Sequence, residues 1–183
     1  MIPELIYLCE KLKSRVDTGR ISLEFLDAER LRVVPAGEDT FPIVVNFDAG
    51  LYIVSAAKWH ASFGDLDQVT AAICWLLTPY YRIVRSTKGS EGVATWVEIY
   101  TNAGWEGTEY VYFDPLVESE SPVEGADEIV ILTQAVFLDS AFETYYPAAH
   151  LDEARYPVGT ILGETRFENQ NGEWHPVGVP VAE

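Results

Sequence analysis

The sequence predicts a single α+β domain, a mostly antiparallel, twisted sheet packed by one or two helices. Three observations lead there. A chain of 183 residues has the length of one domain, so 1–183 is read as one unit. Apolar residues recur at a helical period over 3–17 and 66–77. Elsewhere they alternate or form short runs bounded by turn chemistry, which is the pattern of strands joined by hairpins.

Pro3 suits a first helical turn, and Leu5, Ile6, Leu8, Cys9, Leu12 and Val16 follow near a 3.6 period, with Gly19 as the stop. Over 20–26, Ile21, Leu23 and Phe25 alternate with Ser22 and Glu24; residues 31–34 answer as a second strand across a turn at 27–30. Residues 41–47 and 51–55 form a hairpin closed by Asp48-Ala49-Gly50. The stretch 58–66 is read as a loop leading to the second helix. Asp65, with Gln68 three residues on, has the shape of a capping box. The helix that follows, through Val69, Ala72, Ile73, Leu76 and Leu77, ends before Pro79. Its body is apolar almost all round, so it must be buried on more than one side. Strands at 80–86, 95–100 and 108–113 then form a meander, with turns at 88–92 and 102–104. Residues 114–127 read as an acidic mobile loop, since Pro115, Pro122 and Gly125 interrupt a run holding Glu118, Glu120 and Glu124. The apolar run 128–138 fits a strand or a buried helix, and Ile129, Val130 and Ile131 favour the strand. Residues 160–167 and 173–177 form a last hairpin around Asn169-Gln170-Asn171-Gly172.

Charge separates the two halves of the chain. Residues 1–90 hold 10 Lys and Arg against 11 Asp and Glu, while 91–183 hold 2 against 18, which is −16 of the total −17. The acidic half also carries Trp96, Tyr100, Trp105, Tyr110, Tyr112, Tyr145 and Tyr146. Aromatics at that density bury enough apolar surface to fold, unlike an acidic tail. A folded surface of one sign repels nucleic acid and steers basic proteins toward it. Direct nucleic-acid binding is therefore not expected. Cys9 and Cys74 sit in apolar contexts without paired spacing and read as buried free thiols, which points to a reducing compartment. No apolar run approaches the ~20 residues needed to cross a bilayer, and Met1-Ile2-Pro3-Glu4 does not open a secretory signal. A cytoplasmic protein of bacterial or phage type, without membrane contact, is the expectation.

Motifs for chemistry are sparse. His60, His150 and His175 lack zinc-site spacing, and His150, Asp152 and Glu153 would need ligands from elsewhere to hold a metal. Nucleophile-elbow, phosphate-loop and dinucleotide fingerprints are absent, so no cofactor and no catalytic residue is expected. The densest functional-looking stretch is 58–66, where Trp59, His60 and Phe63 precede a helix start. A ligand anion could dock there with His60 as donor and Arg82 nearby; equally, Trp59 and Phe63 could staple the loop to the core. Trp105 falls in a turn between acidic strands and is a candidate contact aromatic, as are Tyr145 and Tyr146.

The run Trp59-His60-x-x-Phe63-x-Asp65-Leu66, the apolar helix to Leu76-Leu77, then Tyr81-Arg82-Ile83 and Trp96-x-Glu98, resembles small bacterial proteins of the toxin-immunity kind. The resemblance covers 59–98 and implies a protein that binds and neutralises a cognate toxin domain; it transfers no catalytic residues. The combined expectation is a non-enzymatic inhibitor that occludes a basic partner, such as a nuclease toxin. Its expected contact residues are Glu98, Trp105, Glu106, Glu109, Asp114, Glu118, Glu120, Tyr145 and Tyr146. A phage-type anti-defence protein that mimics DNA charge differs only in its target. A reading of another class is a small ligand-binding module or enzyme with a pocket near Trp59, His60 and Arg82.

Overall fold

The structure, a computed structural model, describes residues 2–16, 19–38, 40–101, 104–112, 121–134 and 161–177, with 109–112 described by their backbone. In chain order the elements are α1 (Pro3–Arg15), β1 (Ile21–Phe25), β2 (Arg30–Pro35), β3 (Ile43–Asp48), β4 (Leu51–Ala56), β5 (Trp59–Phe63), α2 (Leu66–Leu76), β6 (Tyr81–Lys88), β7 (Glu91–Thr101), β8 (Gly104–Tyr112), β9 (Glu128–Thr133), β10 (Gly163–Gln170) and β11 (Glu173–Val177). The α+β class stands, and the strands divide into two antiparallel sheets. One is the meander β1-β2-β3-β4-β5; the other has the order β11-β10-β9-β6-β7-β8.

The first helix buries Leu5, Leu8, Cys9 and Leu12, one stripe at helical spacing. Glu4 in its first turn and Lys13 and Arg15 in its last complement the helix dipole. It stops at Arg15, where Val16 turns extended while its N–H still reaches the Leu12 carbonyl. In the second helix, Asp65 caps the start by accepting the Gln68 N–H at 2.8 Å. Val69, Thr70, Ile73 and Leu76 are buried, and the helix lies against α1, β4, β5 and β6. Its all-round apolarity thus has a partner on each side.

One core joins both helices to the inner face of the first sheet and to Tyr81, Ile83 and Val97 of the second. A smaller cluster of Val84, Ala94 and Trp96, packed by Val123, Ile129 and Ile131, lies on the other face of the second sheet. Strand alternation explains the division, since successive residues Ile83 and Val84 point to opposite faces. Where the units meet, the fully buried Gln134 accepts the Phe41 N–H at 3.1 Å and donates to the Leu76 carbonyl at 2.8 Å.

Two assignments differ from the expectation. Residues 59–63 are a strand, not a loop: β5 pairs with β4 in the register Ala56↔Trp59 to Tyr52↔Phe63. Trp105 lies in β8 opposite Tyr100, not in a turn. Of the acidic loop expected over 114–127, residues 121–127 are described, and several bonds hold them. Ser86 Oγ donates to the Pro122 carbonyl, Asp127 N–H donates to the Thr87 carbonyl, and both Asp127 carboxylate oxygens accept the Gly89 N–H. Residues 114–120 lie outside the described residues. Among the described residues, no helix is long and apolar enough to cross a membrane.

Both cysteines are free thiols. Burial pushes the Cys74 thiol up to about 11 and raises that of Cys9. The thiolate is the reactive species, so at pH 8 both should react with a disulfide reagent at least ~10-fold more slowly in the native protein than in urea; equal rates would contradict the burial. Leu76→Ala should cost ~2–5 kcal/mol by urea denaturation, as large-to-small core changes do. Gln134→Ala should cost at least ~2 kcal/mol, because two buried backbone groups lose their partner. A near-neutral result for either would mean that this seam does not hold the fold.

Candidate functional site

The second sheet carries a polar and aromatic cluster on the face opposite the main core. On β7, Trp96, Glu98 and Tyr100 alternate onto this face, with Tyr100, near the end of the strand, also packing against the main core. Antiparallel register sets Arg82 of β6 across from Glu98, and Trp105 of β8 across from Tyr100. Arg82 Nε and Nη2 donate to Glu98 Oε2 at 2.6 and 2.5 Å. The other carboxylate oxygen, Oε1, accepts the Trp96 indole N–H at 3.1 Å. The guanidinium carbon stands 3.9 Å from the centre of the Trp105 ring, and Tyr100 meets Trp105 edge-on at 5.3 Å.

This arrangement stabilises itself through several terms at once. The ion pair is 19% exposed on Arg82 and 17% on Glu98, so solvent screens it only partly. The cation lies over an aromatic face, and both carboxylate oxygens have donors. The cluster therefore carries no net charge and holds its aromatic side chains in one geometry. Its surface is an ion pair stacked on an aromatic ring. Glu98, expected to present its charge to a partner, spends it within the sheet.

The other expected residues are placed as follows. Trp59 is 1% exposed within the main core, and His60, its neighbour in β5, is exposed on the opposite face. Strand alternation thus separates the two side chains expected to share a ligand, and Arg82 is already committed to Glu98. Trp105 and Glu106 are likewise successive strand residues and so face opposite ways. Glu106 is exposed and accepts the Thr101 hydroxyl at 3.0 Å. Glu109 sits in the β8 backbone at a register shift, between Thr108, which pairs with Val97, and Val111, which pairs with Thr95. Asp114, Glu118, Glu120, Tyr145, Tyr146, His150, Asp152 and Glu153 lie outside the described residues. Among the described residues, no group of three His, Cys, Asp or Glu side chains is placed to hold a metal ion.

Three of the candidates, Glu98, Trp105 and Arg82, thus come together, although composition had assigned Arg82 to a different site. Trp96 and Tyr100 complete the cluster. The chain matches no family model. Searches of curated proteins and of solved structures also give no match. The site is therefore read from its own chemistry.

If the cluster acts as one unit, Arg82→Met and Glu98→Gln should be non-additive. A double-mutant cycle by urea denaturation should give a coupling of about 1–3 kcal/mol. A coupling near that of an exposed pair, below ~0.5 kcal/mol, would show that the cluster is held by its neighbours and not by this contact.

Proposed function

We propose that this protein is a non-enzymatic inhibitor of the immunity kind, which binds and occludes a basic protein partner such as a nuclease toxin. The observation that carries the reading is the charge of −16 over 91–183, eight of whose 18 carboxylates stand on strands of the second sheet among the described residues. Exposed carboxylates stand along that sheet at Glu91, Glu106, Glu168 and Glu173. A field of this sign accelerates encounter with a basic protein. Trp105 and Tyr100, already fixed by Arg82 and by each other, supply aromatic contact area whose ordering cost is met before binding. Carboxylates would then occupy the places of phosphates on the partner, and the aromatics would anchor the complex.

Kinetics test the proposal. A partner captured on the immobilised protein at low salt should associate quickly, with a rate that falls steeply as salt shortens the Debye length toward ~8 Å at 0.15 M. Charge reversal to lysine at Glu106, Glu109 and Asp114 together should slow association by about tenfold or more, whereas Trp105→Ala should mainly speed dissociation. Circular dichroism must first show that the variants fold. If the triple variant associates as quickly as the parent at low salt, the acidity serves solubility and the proposal fails.

A further inference from the structure

Arg85 stands apart from the arginines around it. Arg30 has Asp27, Arg32 has Glu24 at 3.8 Å, Arg82 has Glu98, and Arg166 has Glu164 and Glu128. Among the described residues Arg85 has no carboxylate, and its Nε, like that of Arg32, is buried without a hydrogen-bond partner. Directly across β7 its register partner is Thr95. Thr95 is 0% exposed, and its hydroxyl oxygen is also buried without a partner. Side chains directly opposite in an antiparallel pair stand ~5 Å apart at Cβ, so the two unpartnered groups are neighbours.

Their setting is built rather than incidental. The β6–β7 register shifts between Ser86 and Thr87, and the β7–β8 register shifts between Thr95 and Val97. The pair is therefore bracketed by two irregularities, which in sheets re-aim side chains and collect next to functional sites. On the other flank Arg85 faces Val130, which is fully buried. The acid diagonal to Arg85 on this face, Glu128, is engaged elsewhere: it accepts from the Thr87 hydroxyl at 3.2 Å and from Arg166 at 3.3 Å. In a chain with 29 carboxylates against 12 Lys and Arg, a guanidinium left without one is the exception. Buried donors without acceptors are costly, and each calls for an explanation.

We propose that Arg85 and Thr95 form a binding site for one oxyanion group, a carboxylate or a phosphoryl group of a small ligand. The planar guanidinium donates from Nε and the adjoining Nη along one edge, which matches two oxygens of such a group. The Thr95 hydroxyl donates to an oxygen on the buried side. The site lies on the opposite sheet face from the Arg82–Glu98 cluster and does not depend on the inhibitor reading.

Thermal melts of the full chain in sodium acetate, sodium phosphate and sodium chloride at equal ionic strength test this. The parent should melt about 3–5 °C higher in acetate or in phosphate than in chloride once the oxyanion is roughly tenfold above its Kd. A rise in acetate alone assigns a carboxylate ligand, and a rise in phosphate alone a phosphoryl one. Thr95→Val should melt no lower than the parent in chloride, because it deletes an unpaired hydroxyl while keeping the shape, and should lose most of the oxyanion-specific rise. Arg85→Met should lose all of it. Should Arg85→Met not fold, the nitrogen resonance of Arg85 Nε in the parent serves instead; it should move saturably with the oxyanion and stay fixed with chloride. Equal melting in all three salts, an unchanged rise in Thr95→Val, or an Nε resonance that does not respond overturns the proposal.

Discussion

The fold depends on burying the C-terminal end of α2. The end of a helix leaves carbonyls without intrahelical partners, and here that end sits among apolar side chains of both sheets. Leu77 and Thr78 turn their N–H groups back to Ile73, Cys74 and Trp75, and the Thr78 hydroxyl adds a bond to Trp75. The Leu76 carbonyl receives the Gln134 amide, whose oxygen in turn holds the chain entering β3. One side chain from the end of β9 thus meets backbone needs of a helix in one layer and a strand in another. A hydrophobic residue there would pack but would leave both groups unpaired. This makes the relative position of the two sheets a matter of hydrogen-bond geometry as well as of apolar contact.

Much of this architecture was legible in the sequence because local signals agreed with the fold. The α1 stripe, the Asp65 cap, the apolar body of α2, the β6–β8 meander and the final hairpin all lie where periodicity and turn chemistry put them. The hairpin at Asn171-Gly172 has both residues at positive φ, as its sequence implies. The strand that was missed failed on the same rule. Ala57 and Lys58 also adopt positive φ, 48° and 75°, and make the same kind of two-residue turn without Asn or Gly. Nothing in those residue types announces the turn, so Trp59–Phe63 read as loop although Trp59, Ala61 and Phe63 alternate. Gln134 is silent in the sequence for another reason. A polar residue at the end of an apolar run has no local signature when its partners are Phe41 and Leu76.

The candidate cluster was half legible. Glu98 and Trp105 stand out in the sequence by charge and by aromatic character, and Arg82 by its closeness to the 58–66 stretch and the helix after it. Their meeting is a matter of register, which one extra residue can displace. The β6–β7 bulge at Ser86/Thr87 is such an irregularity, and it prevents counting outward from the turn to find Arg82 opposite Glu98.

Register also changes what the acidity means. Composition counts Glu98, Glu128 and Glu164 with the other carboxylates, yet Arg82 of β6 neutralises Glu98, and the single Arg166 of β10 is shared by Glu128 and Glu164, so only one net charge of the three remains. A paired carboxylate contributes a dipole to the distant field, not a charge. The field that a partner would feel thus arises from positions such as Glu106 and Glu168, whose side chains stand exposed. Trp105 and Glu106 leave β8 on opposite faces, so a single flat partner surface cannot engage both fully. On this geometry, carboxylate steering and aromatic anchoring belong to separate surfaces or to a partner that wraps the β8 edge. The second case favours an extended basic segment over a rigid basic face.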